Sequence, residues 1–286
     1  MISVNAVEVE VKNFPGGEIY IERVQEAFSR VLETANIAYV NTVYWRWEGD
    51  HELLWLRFVK RHLDSLGAVS QLVIAYMPYA RMDRATNYLF TLPEVADVIN
   101  ELGFIKVVVI EPHSDVATAL LKNSAGESPT STWMLKAVKA EIEFNPEVDF
   151  LAFPDAGAQK RYGGLRGYRE VVGLKHRSAE TGELGDYHLV GAAEIGVGAK
   201  VLICDDLCSY GGTFAAMSAA IVKEAPGALV YLMVTHLEPT VYRGSMLDGS
   251  PILRVFATNT LQNTAKHAKV ALFDIASRKI IQNEEE

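Results

Sequence analysis

Largely apolar runs and helix-spaced apolar positions alternate along this chain. The runs at 71–77, 105–110, 150–153, 201–204 and 229–235 read as strands buried on both faces. Shorter or mixed runs at 37–44, 171–174, 253–257 and 270–275 extend the same series, and residues 2–11 alternate apolar and polar like a half-buried strand. Between them, residues 24–35, 51–66, 92–102 and 214–224 carry apolar side chains at helical spacing, with Gly67 and Gly103 as stop signals. In the second of these helices, Trp55 and Phe58 are assigned to packing. Residues 13–19 read as a turn-rich loop, 178–186 as a mobile polar loop and 283–286 as a frayed tail. Strands alternating with helices predict doubly wound, mainly parallel sheets. The pattern runs through two cycles, and the polar, proline-containing stretch 141–146 places a boundary between 1–143 and 144–286.

Composition agrees with two well-cored domains: 286 residues, 49% hydrophobic and 22% charged. A net charge of −9 argues against a nucleic-acid surface, so any phosphate chemistry must gather its basic residues locally. Cys204 and Cys208 lack metal-site spacing and read as reduced core thiols. The first residues lack the basic and apolar regions of a signal peptide, and no apolar run approaches the roughly 20 residues of a membrane helix. A cytoplasmic protein without membrane partners is expected.

The chemistry gathers where strands end. After 201–204 come Asp205 and Asp206, then Ser209-Tyr210-Gly211-Gly212-Thr213 and an alanine-rich helix. Ligands of open α/β sheets bind outside carboxyl strand ends, and a helix N-terminus there binds phosphate. Paired carboxylates beside such a cradle suit a sugar phosphate, accepting from hydroxyls or holding a metal; an ordinary strand–turn–helix connection fits the same residues. Arg81, Asp83 and Arg84 follow one strand, Glu111 and His113 another, Asp155, Lys160 and Arg161 a third, and Lys175 and Arg177 a fourth. These basic residues are the local positive charge that the acidic balance demands.

Six segments fall in the order of one family: Phe14-Pro15-Gly16-Gly17-Glu18, Tyr79-Ala80-Arg81-Met82-Asp83-Arg84, Glu111-Pro112-His113, Pro154-Asp155-Ala156-Gly157, Lys175-His176-Arg177 and the loop from Asp205 to Thr213. Over nearly its whole length the chain resembles the ribose-phosphate pyrophosphokinases, the phosphoribosyl pyrophosphate (PRPP) synthetases. The resemblance implies two phosphoribosyltransferase-like α/β domains, the first binding ATP and the second a ribose phosphate. It implies a homo-oligomer, Mg²⁺ as cofactor, and transfer of a diphosphoryl group from ATP to ribose 5-phosphate. Carried onto this chain, Phe14 stacks adenine with Glu18 nearby, and Arg81 and Asp83 complete the ATP site. His113, Glu111 and Asp155 serve Mg²⁺, with His113 also counted as catalytic. Lys175 and Arg177 stabilise the transition state. Asp205 and Asp206 hold ribose, and Ser209, Tyr210, Gly211, Gly212 and Thr213 its 5′ side.

The chain departs from the family at several of these positions. Ser209 and Tyr210 replace an aspartate and a threonine, Glu111 replaces an aspartate, and Gly16 and Met82 replace a polar residue and a glutamine. Lys160-Arg161-Tyr162 adds charge and an aromatic not typical of the family. These changes raise a 5′-extended acceptor, ADP-ribose, as an alternative, with Tyr210, Lys160 and Arg161 receiving the extra phosphate and base. A phosphoribosyltransferase shares the Asp-Asp loop but lacks the complete first half, and a non-catalytic homologue has no reason to keep His113, Asp155, Lys175 and Arg177.

Overall fold

A computed structural model describes residues 1–23, 26–28, 31, 39–84, 88–177 and 184–281, with 175–177 and 184–186 as backbone only. The helix expected at 24–35 and the tail at 283–286 therefore fall wholly or largely outside the described residues, as does most of the loop at 178–186. The chain forms two compact units, Met1–Ser128 and Pro129–Glu286. The division falls ahead of the expected boundary because the helix Leu135–Glu141 packs Leu135 and Val138 against Leu151 and Phe153 of the second unit.

The first unit opens with β1 (Ile2–Val4) and β2 (Val7–Glu8), an antiparallel pair turned at Asn5 and Ala6, both at positive φ. One alternating strand over 2–11 was the expectation, but Ile2, Ser3 and Val4 are all buried, so the alternation was coincidental. The loop at 13–19 closes a small separate hairpin, β3 (Lys12–Asn13) with β4 (Ile19–Tyr20). Then come β5 (Asn41–Trp45), β6 (Ser70–Ile74), β7 (Val107–Ile110) and β8 (Ser124–Glu127), all parallel, completing the sheet order β2-β1-β5-β6-β7-β8. The helix Glu52–Ser65 turns Leu56, Val59 and Leu63 inward and stops at Gly67, at φ +67°. Trp55 packs on this core, but Phe58 is 42% exposed, facing out on the same helix.

In the second unit β9 (Phe150–Phe153), β10 (Arg169–Arg177), β11 (Leu184–Val190), β12 (Lys200–Cys208), β13 (Leu229–Leu237), β14 (Ile252–Thr258) and β15 (Val270–Phe273) form one sheet. Its order is β11-β10-β9-β12-β13-β14-β15, parallel except for the edge strand β11, so residues 184–186 of the expected loop lie in a strand. Apolar cores cover both faces. Phe150, Ala152, Val201 and Ile203 meet Phe214, Met217 and Ile221 of the helix Gly212–Glu224. Leu151, Phe153, Leu202 and Cys204 meet Met134, Ala158 and Tyr162. That is why these strands read as continuous apolar runs. β12 runs four residues beyond its apolar stretch, so Asp205 and Asp206 belong to the central strand rather than to a turn.

Candidate active site

In the first unit, two strand-end loops converge. Arg84 Nε donates to Asp83 Oδ1 at 3.0 Å, while Arg84 itself stays exposed. Burial raises the pKa of Asp83, but Arg84, Ser114 and the charge of His113 outweigh it and hold the carboxyl below its ordinary range. Both loops pass through left-handed backbone at residues with side chains, Tyr79 (φ +62°) and Glu111 (φ +39°). Such conformations cost energy and persist where their surroundings enforce them. The Tyr79 hydroxyl donates to Asp50 Oδ2 at 2.8 Å, and the Glu111 amide donates to the Glu127 carbonyl at 2.6 Å. Glu111 is buried, Arg81 is exposed, and Phe14 and Glu18 stand on the separate hairpin. Phe14 is 51% exposed, with its ring centroid 4.5 Å from that of Tyr20 in a tilted contact.

The depressed Asp83 carboxyl carries a pH dependence. A carboxylate whose folded pKa is lowered adds stability above its unfolded pKa, about 3.9, and that stability is lost as pH falls through the folded value. The stability gap between the native protein and Asp83→Asn is therefore expected to hold steady above about pH 5 and shrink below about pH 4. Urea midpoints measured across that range check it, and a gap indifferent to acid would remove the interaction.

In the second unit, the helix Ala156–Arg161 starts at Asp155, whose Oδ1 accepts from the Ala158 amide at 3.0 Å. At its other end Tyr162 is buried and stacks on Phe153, with ring centroids 6.2 Å apart. Arg161 beside it reaches β12: Nη1 donates to Asp205 Oδ1 at 3.0 Å and also pairs with Asp206 Oδ1. The Asp206 amide donates to Asp205 Oδ1 at 2.9 Å. Burial pushes the Asp205 carboxyl well up, and the Asp206 charge adds to that, against a downward pull from Arg161. Burial lowers the Arg161 guanidinium, but the carboxylates beside it hold it above its ordinary value. Lys160, by contrast, is exposed. Tyr187, on β11, donates to the Pro154 carbonyl, and burial, then Asp155 and Asp205, push its phenol up. A Cβ on Gly173 would fall 2.5 Å from that phenol oxygen, so this glycine admits Tyr187 to the cluster.

The turn after β12 is set from behind by one segment. Thr240 donates to Glu238 Oε2 at 3.1 Å, so the Ser209 hydroxyl, 3.1 Å from Thr240, is the donor between those two. Gly244 lies against the Tyr210 carbonyl, and Gly211, at φ +83°, against Met246. Tyr210 is 55% exposed. Gly212 and Thr213 open the helix Gly212–Glu224, where amides have no intrahelical partner.

Sequence reasoning identified most of these residues but missed the ion pair of Arg161 and the contributions of Tyr187, Thr240 and Gly244. A glycine inside a strand, Gly173, was the available signal for a close approach. Of the residues assigned to Mg²⁺, Glu111 and His113 lie in the first unit and Asp155 in the second. No group of three or more His, Cys, Asp or Glu side chains suited to a metal occurs among the described residues. Mg²⁺ is commonly held by one or two carboxylates plus substrate phosphates, and a strand-end Asp155 fits that pattern. Lys175 and Arg177 lie on β10, whose register with β9 ends at Val172↔Phe153, so their backbone extends past the end of β9 where Asp155 begins the next helix. Among the described residues, no helix is long and apolar enough to cross a membrane.

No protein-family model matches the chain. It is 28% identical over 223 residues to the ribose-phosphate pyrophosphokinase of Saccharolobus solfataricus, covering 74% of this chain and 71% of that one. It is 25% identical over 290 residues to the enzyme of the same name from Sulfurisphaera tokodaii, covering 98% and 94%. Among solved structures, phosphoribosylpyrophosphate synthetase from Mycobacterium smegmatis superposes with a TM-score of 0.73 at 19% identity, covering 95% of this chain and 88% of that one. Two largely parallel sheets flanked by helices make this an α/β protein with the two-domain fold of that synthetase. Similarity to several curated enzymes of one name, spanning most of the chain, narrows this further. The chain is similar over most of its length to the ribose-phosphate pyrophosphokinases, and that similarity supports an enzyme of that type.

Proposed function

We propose that the protein transfers the β,γ-diphosphoryl group of MgATP to the anomeric C1 hydroxyl of ribose 5-phosphate, giving PRPP and AMP. The observation that carries this reading is the carboxylate pair Asp205–Asp206 at the end of the central strand, followed by a glycine turn into a helix N-terminus. Carboxylates accept from the ribose hydroxyls, and the amides of Gly212 and Thr213 receive the 5′-phosphate. The C1 oxygen attacks the β-phosphorus, the bond from that phosphorus to the α,β-bridging oxygen breaks, and AMP leaves with that oxygen. The proton of the C1 hydroxyl passes to solvent.

Catalysis of this kind rests on positioning and charge stabilisation. Phe14 offers its half-exposed ring to adenine, with Glu18 beside it, and Arg81 and the Asp83–Arg84 pair serve the ATP. In the first domain His113 and Glu111 would hold Mg²⁺ on the ATP phosphates, and in the second Asp155 would hold Mg²⁺ beside the ribose hydroxyls. The ion neutralises charge on the phosphates when bound. Lys175 and Arg177 supply positive charge to the transferring group. The domain assignments follow: ATP in the first, ribose phosphate in the second, in a cytoplasmic homo-oligomer.

A second acceptor, ADP-ribose, has one observation in its favour: exposed Tyr210 stands on the turn that would face a 5′ extension. The engagement of Arg161 with the two aspartates removes one of the groups expected to receive the added phosphate. Incubating the protein with ATP, Mg²⁺ and each acceptor separates the readings by AMP release. Release with ribose 5-phosphate supports the first, release with ADP-ribose alone selects the second, and none with either overturns both.

A further inference from the structure

We propose that Arg161 is the positioning residue of the ribose subsite, one guanidinium nitrogen bridging Asp205 and Asp206 so that both are held in place for the vicinal diol of the acceptor. The inference rests on the diphosphokinase reading above.

Two carboxylates on successive residues of one strand repel each other, and burial worsens the repulsion by removing the solvent that would screen it. Successive residues also point to opposite faces of a sheet, so Asp205 and Asp206 have no intrinsic reason to act together. Nη1 of Arg161 reaches Oδ1 of both, at 3.0 Å for Asp205, and draws the two oxygens to one point. The guanidinium is placed from both sides. Asp155 caps the start of its helix, and buried Tyr162, stacked on Phe153, pins the end one residue beyond Arg161. Side-chain exposures of 22% for Arg161, 18% for Asp205 and 5% for Asp206 leave the cluster little water to replace the bridge. Hydroxyl donors arriving at a pair already held by the guanidinium bind without first ordering it.

The test is the response of KM and kcat for ribose 5-phosphate in Arg161→Met and Arg161→Lys, with calorimetric titration of ribose 5-phosphate alongside. The methionine variant should raise KM about 10- to 100-fold while kcat stays within about threefold. The lysine variant should recover most of that loss, because one ammonium can take two carboxylate oxygens as a point charge. Thermal melting checks that each variant folds, and the lysine variant keeps the test valid if the methionine variant does not. Lys223→Gln, an equal charge change on the exposed side of the helix Gly212–Glu224, should leave KM unchanged. A folded methionine variant with native KM, or a lysine variant as impaired as methionine, overturns the inference. The two claims fail separately. Absence of AMP release from the native protein overturns the reaction, whereas equal calorimetric affinity of native and methionine forms overturns the role of Arg161.

Discussion

Replacing Lys175 with alanine is expected to slow AMP release from ATP and ribose 5-phosphate by about 100- to 1,000-fold, with KM changing far less. Negative charge spreads over the equatorial oxygens as the diphosphoryl group moves, and a cation placed there acts on the transition state more than on the bound substrates. The register of β10 supports the placement. Its pairing with β9 ends at Val172↔Phe153, so the strand carries Lys175 past the end of β9, toward the level of Asp155. A single-turnover measurement isolates the chemical step. A native single-turnover rate in the alanine variant would take Lys175 out of the transition state.

The second large effect is expected at a residue with no chemistry of its own. An alanine Cβ at Gly244 would sit 2.2 Å from the Tyr210 carbonyl oxygen and 3.1 Å from its carbon, both main-chain atoms that no rotamer change can move aside. The turn from Ser209 to Gly211 must shift, breaking the Ser209–Thr240 contact and the seat of Gly211 on Met246. Gly244→Ala should cost about 2–4 kcal/mol in urea unfolding and weaken ribose phosphate binding with it. A loss below about 0.5 kcal/mol would mean that the two segments part easily.

Much of this fold was legible because the strands of parallel sheets are apolar on both faces. Residues 150–153 emerge as a strand with the expected bounds, and the helices near 52–65 and 92–101 end beside glycines at positive φ. Legibility failed where one period imitates another. Residues 2–11 alternate, yet the chain reverses at Asn5 and Ala6; asparagine tolerates left-handed backbone, but alanine gives no such signal. It failed again at Phe58, which is apolar at helical spacing but lies outside the buried stripe of Leu56, Val59 and Leu63.

The candidate site was legible residue by residue but not as a set of bonds. Strand ends announce themselves through charge after an apolar run, so Asp83, His113, Asp155 and Asp205 could each be named. Which charge pairs with which depends on the reach of side chains between elements far apart in sequence. Arg161 and Asp205 are 44 residues apart, and only the shared sheet edge brings them to 3.0 Å. Arg161 read as a surplus positive charge for an extended substrate, and in the fold it is tied to the carboxylates.

The strand that bears these carboxylates also bears two thiols. Cys204 and Cys208 flank Asp205 and Asp206 on β12, are free and buried, and are pushed well above the ordinary thiol range by burial, with the Asp205 charge adding at Cys204 and the Glu238 and Asp205 charges at Cys208. Only the thiolate reacts with an alkylating reagent, so in the closed strand both are inert. Modification must wait for β12 to open locally, and its rate then measures the free energy of that opening. The protein thus contains its own reporter, with no label introduced, of how firmly the edge proposed to bind the acceptor is held, and on that proposal a bound sugar phosphate would register as a slower clock.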